Sequence, residues 1–250
     1  MSARLVTVVT GGGRGIGAAT VRALAGAGHD VVVGYRGDHE AAARVVETAR
    51  ADGVQAVAVQ ADVVRADDVE HLFATALEQL GPVTGLVNNA GVTAHIGDLA
   101  ETPVDAIREV VDVNLVASIL CARQAARVMS VRRGGGGGSI VNVSSAAATL
   151  GSPHEYVHYA SAKAGVEALT MGLSKELADD GVRVNAVAPG IVRTGIHAAA
   201  GHPGREDLLA SRIPLGRAAE PAEIAPAIVW LMSGEAAYVT GAVVRVAGGL

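Results

Sequence analysis

Short apolar runs alternate with longer amphipathic stretches along most of the chain. The short runs are rich in valine and isoleucine, and an alanine-rich stretch of helical length follows most of them. Strands that alternate with helices are typical of right-handed crossovers in a parallel, doubly wound sheet. The pattern predicts strands at Leu5–Val9, Asp30–Tyr35, Gln55–Gln60, Gly85–Asn88, Ser139–Val143, Val182–Val187 and Ala242–Val246. It predicts helices at Ile16–Ala27, Glu40–Asp52, Asp67–Leu80, Val104–Val131, Tyr156–Asp180 and Pro221–Met232.

No interior linker divides the chain, so residues 1–250 are predicted to form a single domain. The run "RRGGGGGS" (Arg132–Ser139) lies between a predicted helix and a predicted strand, where a connection belongs. It is interpreted as a flexible loop, with a domain boundary as the alternative. Residues 190–217 contain glycine, proline and polar residues without a clear strand. A connection of this length is typical of a functional lid or a disordered loop, and we predict a substrate lid.

The composition indicates a core of small aliphatic side chains. Half of the residues are hydrophobic, but only six are aromatic, which suits strands covered on both faces. The net charge of −5 and the scarcity of aromatic rings argue against binding to nucleic acid. No apolar run approaches the length that crosses a bilayer, and a single Cys121 excludes an internal disulfide framework. We therefore expect a cytoplasmic protein that binds neither nucleic acid nor a membrane.

The segment "TGGGRGIG" (Thr10–Gly17) directly follows the first predicted strand and opens the first helix. Glycine permits a tight turn and lets backbone N–H groups approach a pyrophosphate, whose charge the helix N-terminus favours. A Walker-A loop is excluded because no Lys-Ser/Thr pair follows the glycines. A tight turn without a ligand is the alternative. The context favours dinucleotide binding through Gly11, Gly13, Arg14, Gly15, Ile16 and Gly17.

The end of the second strand indicates which dinucleotide binds. An acidic residue there would bind the ribose 2′-hydroxyl of NAD, whereas a basic residue accommodates the 2′-phosphate of NADP. The chain has Tyr35 and Arg36 at this position, and Arg14 adds a second cation. This arrangement favours NADP(H). The alternative is that Arg36 is a solvated loop residue and that Asp38 binds the ribose of NAD(H).

The stretch "EYVHYASAKAG" (Glu155–Gly165) carries candidate acid–base chemistry on a predicted helix. Tyr159 and Lys163 are four residues apart and therefore share one helical face. A neighbouring ammonium would favour the phenolate and lower the tyrosine pKa from its ordinary value near 10. Tyr156 lies about two turns from Lys163 and is interpreted as a substrate-wall or packing residue. The alternative for the pair is a core tyrosine beside a surface charge.

These motifs together resemble those of the short-chain dehydrogenase/reductase family over essentially the whole chain. The resemblance rests on "TGGGRGIG", "NNAG" (Asn88–Gly91), Asn114 in "VNL", "SS" (Ser144 and Ser145), "YASAK" (Tyr159–Lys163) and "PGIVRT" (Pro189–Thr194). Within the family the chain resembles bacterial glucose-dehydrogenase-like or 3-oxoacyl-thioester-reductase-like enzymes. The resemblance implies a three-layer, Rossmann-type α/β fold with a seven-stranded parallel sheet and helices on both faces.

The resemblance also implies residue roles. Tyr159 would exchange a proton with the substrate oxygen, which Ser145 would hold, while Lys163 lowers the phenol pKa and binds the nicotinamide ribose. Asn114 would position a water in a proton relay. Further cofactor contacts are implied for Asp62 and Val63 near the adenine, for Asn88, Ala90 and Gly91 near the adenosine, and for Pro189, Gly190, Val192 and Thr194 near the nicotinamide. Relatives are usually homotetramers or homodimers built from the helices around Asn114 and Tyr159 and from the last strand, so the C-terminal "YVTGAVVRVAGGL" is a candidate interface. The alternative is that this strand simply completes the sheet.

Two departures from the family pattern concern the site. The connection from Ser145 to Tyr159 is one residue longer than in many members, which puts the serine assignment in doubt. Gly13 replaces a serine that often binds the 2′-phosphate in NADP-using relatives, so use of both NAD and NADP is allowed.

Other function classes fit the sequence less well. No G-x-S-x-G elbow or HExxH motif occurs, and His197 and His202 are expected to be exposed loop residues rather than metal ligands. A non-catalytic dinucleotide-binding protein would not need Asn114, Ser145, Tyr159 and Lys163 together, and a methyltransferase has no use for the Tyr159–Lys163 pair. We expect an NADPH-favouring oxidoreductase that acts on a small-molecule carbonyl or secondary alcohol. An NAD-using sugar or alcohol dehydrogenase of the same family is the alternative.

Overall fold

A computed structural model describes residues 5–250, so the first four residues of the predicted domain lie outside the described part of the chain. The described residues form a seven-stranded parallel sheet in the order β3-β2-β1-β4-β5-β6-β7. This arrangement confirms the predicted fold class. The strands are β1 (Val6–Thr10), β2 (Asp30–Tyr35), β3 (Ala56–Gln60), β4 (Val83–Asn88), β5 (Gly138–Val143), β6 (Val182–Pro189) and β7 (Val243–Val246).

Helices cover both faces of the sheet because the central strands are apolar on both sides. Side chains from α1, α2 and α10 pack on one face, and those from α3, α5 and the end of α7 pack on the other. Each fully buried valine or leucine side chain contributes about 1.5–3 kcal/mol. The helices are α1 (Gly15–Gly26), α2 (His39–Ala51), α3 (Ala66–Leu80), α4 (Val104–Val111), α5 (Ala117–Met129), α6 (Ala147–Leu150), α7 (Val157–Glu176), α8 (Ile196–Ala199), α9 (Arg205–Leu208) and α10 (Pro221–Met232).

The side of the sheet on which the chain adds strands changes at β1. The chain proceeds from β1 through β2 to β3 on one side and then continues with β4 on the other side. Loops that leave the carboxyl ends of β1 and β4 therefore diverge to opposite faces and leave a crevice between them. The glycine loop follows β1 and "NNAG" follows β4, so the topology places both motifs at this crevice.

The predicted helix Val104–Val131 is wrong in its continuity. The structure has α4, then a π-helical turn at Asp112–Val116, then α5, which ends at Met129. The Asn114 side chain explains the turn, because its Nδ2 donates to the Val110 carbonyl at 2.8 Å and to the Val92 carbonyl at 2.8 Å. Single π-helical turns of this kind occur frequently at functional sites.

Part of the glycine run at the start of β5 is closely packed, whereas Gly134 and Gly136 are exposed, and the predicted flexibility of this loop stays a prediction. Gly137 N donates to the Met129 carbonyl at 2.8 Å, and a Cβ on Gly138 would lie 2.0 Å from the Thr84 carbonyl oxygen. Glycine is needed at position 138 because only a residue without a side chain can approach β4 so closely.

None of the helices within residues 5–250 is both long and apolar enough to cross a membrane.

Candidate active site

A cleft of about 390 Å³ lies at the carboxyl ends of the strands, where the topology reverses. It contains nearly all of the residues that the sequence motifs predict for the site. Those that line it are Gly11, Gly13, Arg14, Gly15, Ile16, Tyr35, Arg36, Asp62, Val63, Ala90, Gly91, Ser145, Tyr159, Lys163, Pro189, Gly190, Val192 and Thr194. Three predicted residues, Gly17, Asn88 and Asn114, do not line it.

The glycine loop fits a pyrophosphate. Gly11 has a φ of +62°, and a Cβ on it would lie 3.1 Å from Ala90 Cα. A Cβ on Gly17 would lie 2.3 Å from the Gly11 carbonyl oxygen, so Gly17 shapes the loop from beneath the cleft. No side chain caps the N-terminus of α1, and its first turn carries no acidic residue. The N–H groups of that turn are therefore available to an anion.

The end of β2 provides two exposed cations. Arg14 and Arg36 both line the cleft with exposed side chains. Asp38, the alternative ribose ligand, also lines the cleft, and its Oδ1 accepts a hydrogen bond from Ala41 N at 2.9 Å and caps α2. A Cβ on Gly13 would lie 3.4 Å from Ala42 N, which is an ordinary contact, so the loop has room for a serine there.

The two asparagines of "NNAG" have opposite positions. Asn88 is buried below the cleft, where its Nδ2 donates to the Ser118 carbonyl at 3.1 Å and to Asn142 Oδ1 at 2.9 Å. Asn89, which the sequence reasoning missed, lines the cleft and donates to the Thr10 carbonyl at 3.0 Å and the Gly11 carbonyl at 3.1 Å. Successive side chains at a strand end point to opposite sides, and this alternation could have identified Asn89.

Asn114 lies behind the wall of the cleft. Its side chain is fully buried, and its Oδ1 accepts a hydrogen bond from Val92 N at 3.3 Å. Together with the bond from Nδ2 to the Val92 carbonyl, this pair fixes the segment that follows Gly91. Asn114 therefore holds the cleft wall in place, and its predicted part in a proton relay stays a prediction.

Ser145, Tyr159 and Lys163 come together at one end of the cleft. The Tyr159 side chain is 8% exposed and lies close enough to the Ser145 hydroxyl for that group to lower the phenol pKa. Lys163 is 4% exposed, and its Nζ donates to the Val143 carbonyl at 2.8 Å and lies 5.7 Å from the centre of the Tyr159 ring. The geometry brings together the three side chains that the motifs predict.

The pKa values depart from the expectation based on helical spacing. Burial raises the pKa of Tyr159 well above its usual value, and the hydrogen bond from Ser145 only partly opposes this. Burial also lowers the pKa of Lys163 from 10.5 to about 8. The phenol pKa is therefore raised rather than lowered in the protein as described, because burial has the largest effect on it.

The structure distinguishes between the two adjacent serines. Ser144 Oγ donates to Glu167 Oε1 at 2.9 Å and is buried, whereas Ser145 is partly exposed and is the serine that acts on the pKa of Tyr159. Helix α6 and the turn after it accommodate the longer connection. Ser145 therefore keeps its position beside the phenol.

An aromatic wall continues the site beyond Tyr159. Tyr156 meets the Tyr159 ring edge-on at 5.3 Å between ring centres, and His197 stacks on Tyr156 at 6.4 Å. His197 is only 6% exposed and lies on α8, so the expectation of an exposed loop residue is wrong. Helix α8 is a single short turn with no hydrophobic periodicity, which is why the sequence did not reveal this position.

Comparisons with known proteins agree with this geometry. A model of the family described as enoyl-(acyl carrier protein) reductase matches residues 11–250. The chain is 44% identical over 245 residues to an uncharacterized oxidoreductase of Escherichia coli, YgfF, with 98% of this chain and 99% of that protein covered. It is 40% identical over 250 residues to a 3-oxoacyl-[acyl-carrier-protein] reductase of Synechocystis, with 98% and 96% covered.

Solved structures give the same result. A short-chain type dehydrogenase/reductase from Mycobacterium marinum superposes with a TM-score of 0.90 at 30% identity and covers 98% of this chain and 94% of its own. A dehydrogenase/reductase from Sinorhizobium meliloti also has a TM-score of 0.90, at 34% identity, with 99% and 95% covered. The chain belongs to the short-chain dehydrogenase/reductase family of oxidoreductases.

Proposed function

We propose that the protein is a carbonyl reductase that favours NADPH. The observation that carries this proposal is that Ser145, Tyr159 and Lys163 line the same cleft as the exposed cations Arg14 and Arg36. At one end of the cleft the side chains suit proton transfer to a substrate oxygen, and the two cations suit a phosphate group. A nicotinamide dinucleotide phosphate has a nicotinamide that would lie at the first position and a 2′-phosphate that would lie at the second.

The protonation state of Tyr159 suits a proton donor. Because burial raises its pKa, the phenol carries its proton at neutral pH and is ready to donate it to a carbonyl oxygen. Ser145 lies beside the phenol and would hold that oxygen through its own hydroxyl. Donation leaves a phenolate, which burial alone disfavours, so the Lys163 ammonium beside the ring would have to stabilise it.

The residues of the cleft fit a nicotinamide cofactor, which supplies the hydride when bound. The loop at Gly11–Gly17 would hold the pyrophosphate, and Arg14 and Arg36 would hold a 2′-phosphate. Lys163 would bind the nicotinamide ribose through the hydrogens that it does not donate to Val143. The remaining contacts are proposed for Asp62 and Val63 at the adenine, for Ala90 and Gly91 along the adenosine, and for Pro189, Gly190, Val192 and Thr194 at the nicotinamide.

The substrate proposal follows from the names of the relatives. Several similar proteins are named 3-oxoacyl-[acyl-carrier-protein] reductases, so a 3-oxo ester or thioester is the first substrate class to test. Residues 190–217 would act as the lid over this substrate. Helices α8 and α9 of that segment pack near Tyr156, which supports the proposal.

Assembly into a homotetramer or homodimer is also proposed. Val243 on the edge strand β7 is 40% exposed, and the nearby Tyr238 is completely exposed. Such apolar groups at a sheet edge are suited to contact another copy of the chain. Light scattering of the purified protein, with Tyr238→Glu as the comparison, measures the number of copies directly.

The experiment follows nicotinamide absorbance with purified protein and a panel of ketones, aldehydes, 3-oxo esters, sugars and secondary alcohols. The proposal expects oxidation of NADPH by a carbonyl compound and a higher kcat/KM with NADPH than with NADH. Arg36→Asp should reverse that preference, because a carboxylate repels the 2′-phosphate and accepts hydrogen bonds from the ribose hydroxyls. The control is Arg44→Asp, on the exposed surface of α2. A preference for NADH that Arg36→Asp leaves unchanged would refute the cofactor assignment.

A further inference from the structure

His197 occupies a wall position at the substrate end of the cleft. It lines the cleft from the first turn of α8, and Ile196 precedes it in the same wall. Its ring stacks on Tyr156 with an interplanar angle of 24°, and Tyr156 in turn contacts the Tyr159 ring edge-on. A single aromatic ring therefore separates His197 from the proton donor.

A network of ion pairs keeps the imidazole in this position. Arg205 is the first residue of α9, and its guanidinium lies 5.9 Å from the centre of the Tyr156 ring. Glu155 Oε1 binds Arg205 at 2.8 Å and Arg212 at 3.2 Å. The carboxylate thus ties two arginines of the lid to the residue next to Tyr156, and the stack from Arg205 through Tyr156 to His197 fixes the imidazole orientation.

The two ring nitrogens of His197 are not equivalent. Nδ1 is buried without a hydrogen-bond partner among the described residues, whereas Nε2 is not sealed off in this way. A buried N–H without a partner is rarer than an unsatisfied acceptor, so the arrangement favours a bare Nδ1 and a proton on Nε2. His197 therefore presents a hydrogen-bond donor from a rigid position in the cleft wall.

The imidazole is uncharged at neutral pH. Burial lowers the pKa of His197, and Arg205 and His202 act in the same direction, while Glu206 and Glu155 oppose them. The other wall residues near it, Val92, Thr93 and Tyr156, carry no charge at neutral pH. The nearest cation, Arg205, is paired with Glu155, so an uncharged imidazole donor suits an uncharged oxygen better than a free carboxylate or phosphate.

We propose that His197 is a specificity-determining residue whose Nε2–H donates a hydrogen bond to a second, uncharged oxygen of the substrate. The ketone oxygen lies at Tyr159 and Ser145, and the second oxygen is the ester or thioester carbonyl of a 3-oxo acyl compound. The enzyme then prefers such compounds over a plain ketone of similar size. This inference rests on the proposed carbonyl reductase function.

The test compares two substrates in two variants. Methyl acetoacetate has the second carbonyl, and pentanone with its ketone at the second carbon lacks it. His197→Phe keeps a ring on Tyr156 but removes the donor, and we expect about a tenfold lower kcat/KM for methyl acetoacetate with less than about a twofold change for pentanone. His197→Gln should restore part of the preference because its amide donates. His71→Phe, which replaces an exposed histidine of α3 outside the cleft and the proposed lid, is the matched control and should change neither value.

Two outcomes would overturn the assignment. An equal loss for both substrates would make His197 a packing residue, and an unchanged ratio in His197→Phe would leave it without a role in selection. If the wild type reduced neither compound, the proposed function would fail, and binding would then decide the role of His197. For an inactive wild type, nitrogen NMR of the histidine rings with NADP⁺ present should show that methyl acetoacetate changes the chemical shift of His197 Nε2 and that pentanone does not. Absence of that shift would refute the inference.

Discussion

Replacing Lys163 by methionine should stabilise the folded protein at neutral pH while it removes a residue of the site. The ammonium is 4% exposed, and burial lowers its pKa from 10.5 to about 8. Since one pKa unit equals about 1.4 kcal/mol, burying the charged form costs about 3 kcal/mol at pH 7. Methionine avoids that cost but leaves the Val143 carbonyl without its partner, which costs about 1 kcal/mol. The expected net gain in the free energy of unfolding is about 2 kcal/mol.

The gain should depend on pH with a defined sign. Below pH 8 the lysine is protonated in both the folded and the unfolded state, so the cost of burial is present in full. Between about 8 and 10.5 the unfolded state still binds the proton that the folded state has released, so the wild type becomes more stable as the pH rises. Above 10.5 only the lost hydrogen bond remains, and the variant should be about 1 kcal/mol less stable.

The assay is urea unfolding followed by circular dichroism, at one protein concentration and at several pH values between 7 and 10.5. The titration of all other groups cancels when the free energy of unfolding of the wild type is subtracted from that of the variant at each pH. Lys175→Met is the matched control, because it replaces an exposed lysine of the same helix and should shift stability by less than about 0.5 kcal/mol. A variant that is less stable at pH 7, or a difference that does not vary with pH, would show that the lysine is not buried as a destabilising charge.

Three further predictions concern side chains around the phenol. Ser145→Ala should lower kcat about a hundredfold, because it removes the hydroxyl beside Tyr159. Ser144→Ala should change kcat less than about threefold. Equal effects of the two substitutions in steady-state assays would contradict the serine assignment. Glu155→Gln removes the ion pairs with Arg205 and Arg212 and should raise KM severalfold with little change in kcat. An unchanged KM would show that these ion pairs do not hold the lid. Asn114→Leu leaves Val92 N–H and C=O unpaired, so urea unfolding should show a loss of about 2–3 kcal/mol; an unchanged midpoint would contradict this.

The sheet was predictable because its signal is local. Strands buried on both faces read as continuous valine-rich runs, and glycines mark the turns that connect them to helices. Strand ends were less predictable, because pairing decides them. β6 extends to Pro189, two residues beyond its predicted end, since Pro189 pairs with Val246 on β7.

The interruption near Asn114 could not be read from the sequence. The stretch from Val104 onward has a continuous helical pattern, and the π-helical turn depends on hydrogen bonds from Asn114 to Val92, which is distant in sequence. Contacts of this kind exist only in the folded chain.

Some features of the site, like those of the sheet, were predictable from local sequence, and others depend on the folded chain. Helical spacing places Tyr159 and Lys163 on one face, and the structure brings both into the cleft. Spacing carries no information on burial, however, and burial determines both pKa values. His197 was missed because its position depends on stacking against Tyr156 from a segment without periodicity.

The central claim is that Tyr159 donates the proton to the substrate oxygen. The most direct measurement is the rate of NADPH oxidation by Tyr159→Phe with the best carbonyl substrate of the panel, beside Tyr238→Phe, which alters a fully exposed tyrosine. We predict a loss of kcat of at least about a hundredfold in Tyr159→Phe, unchanged NADPH affinity, and wild-type rates in Tyr238→Phe. Wild-type turnover in Tyr159→Phe would contradict the account.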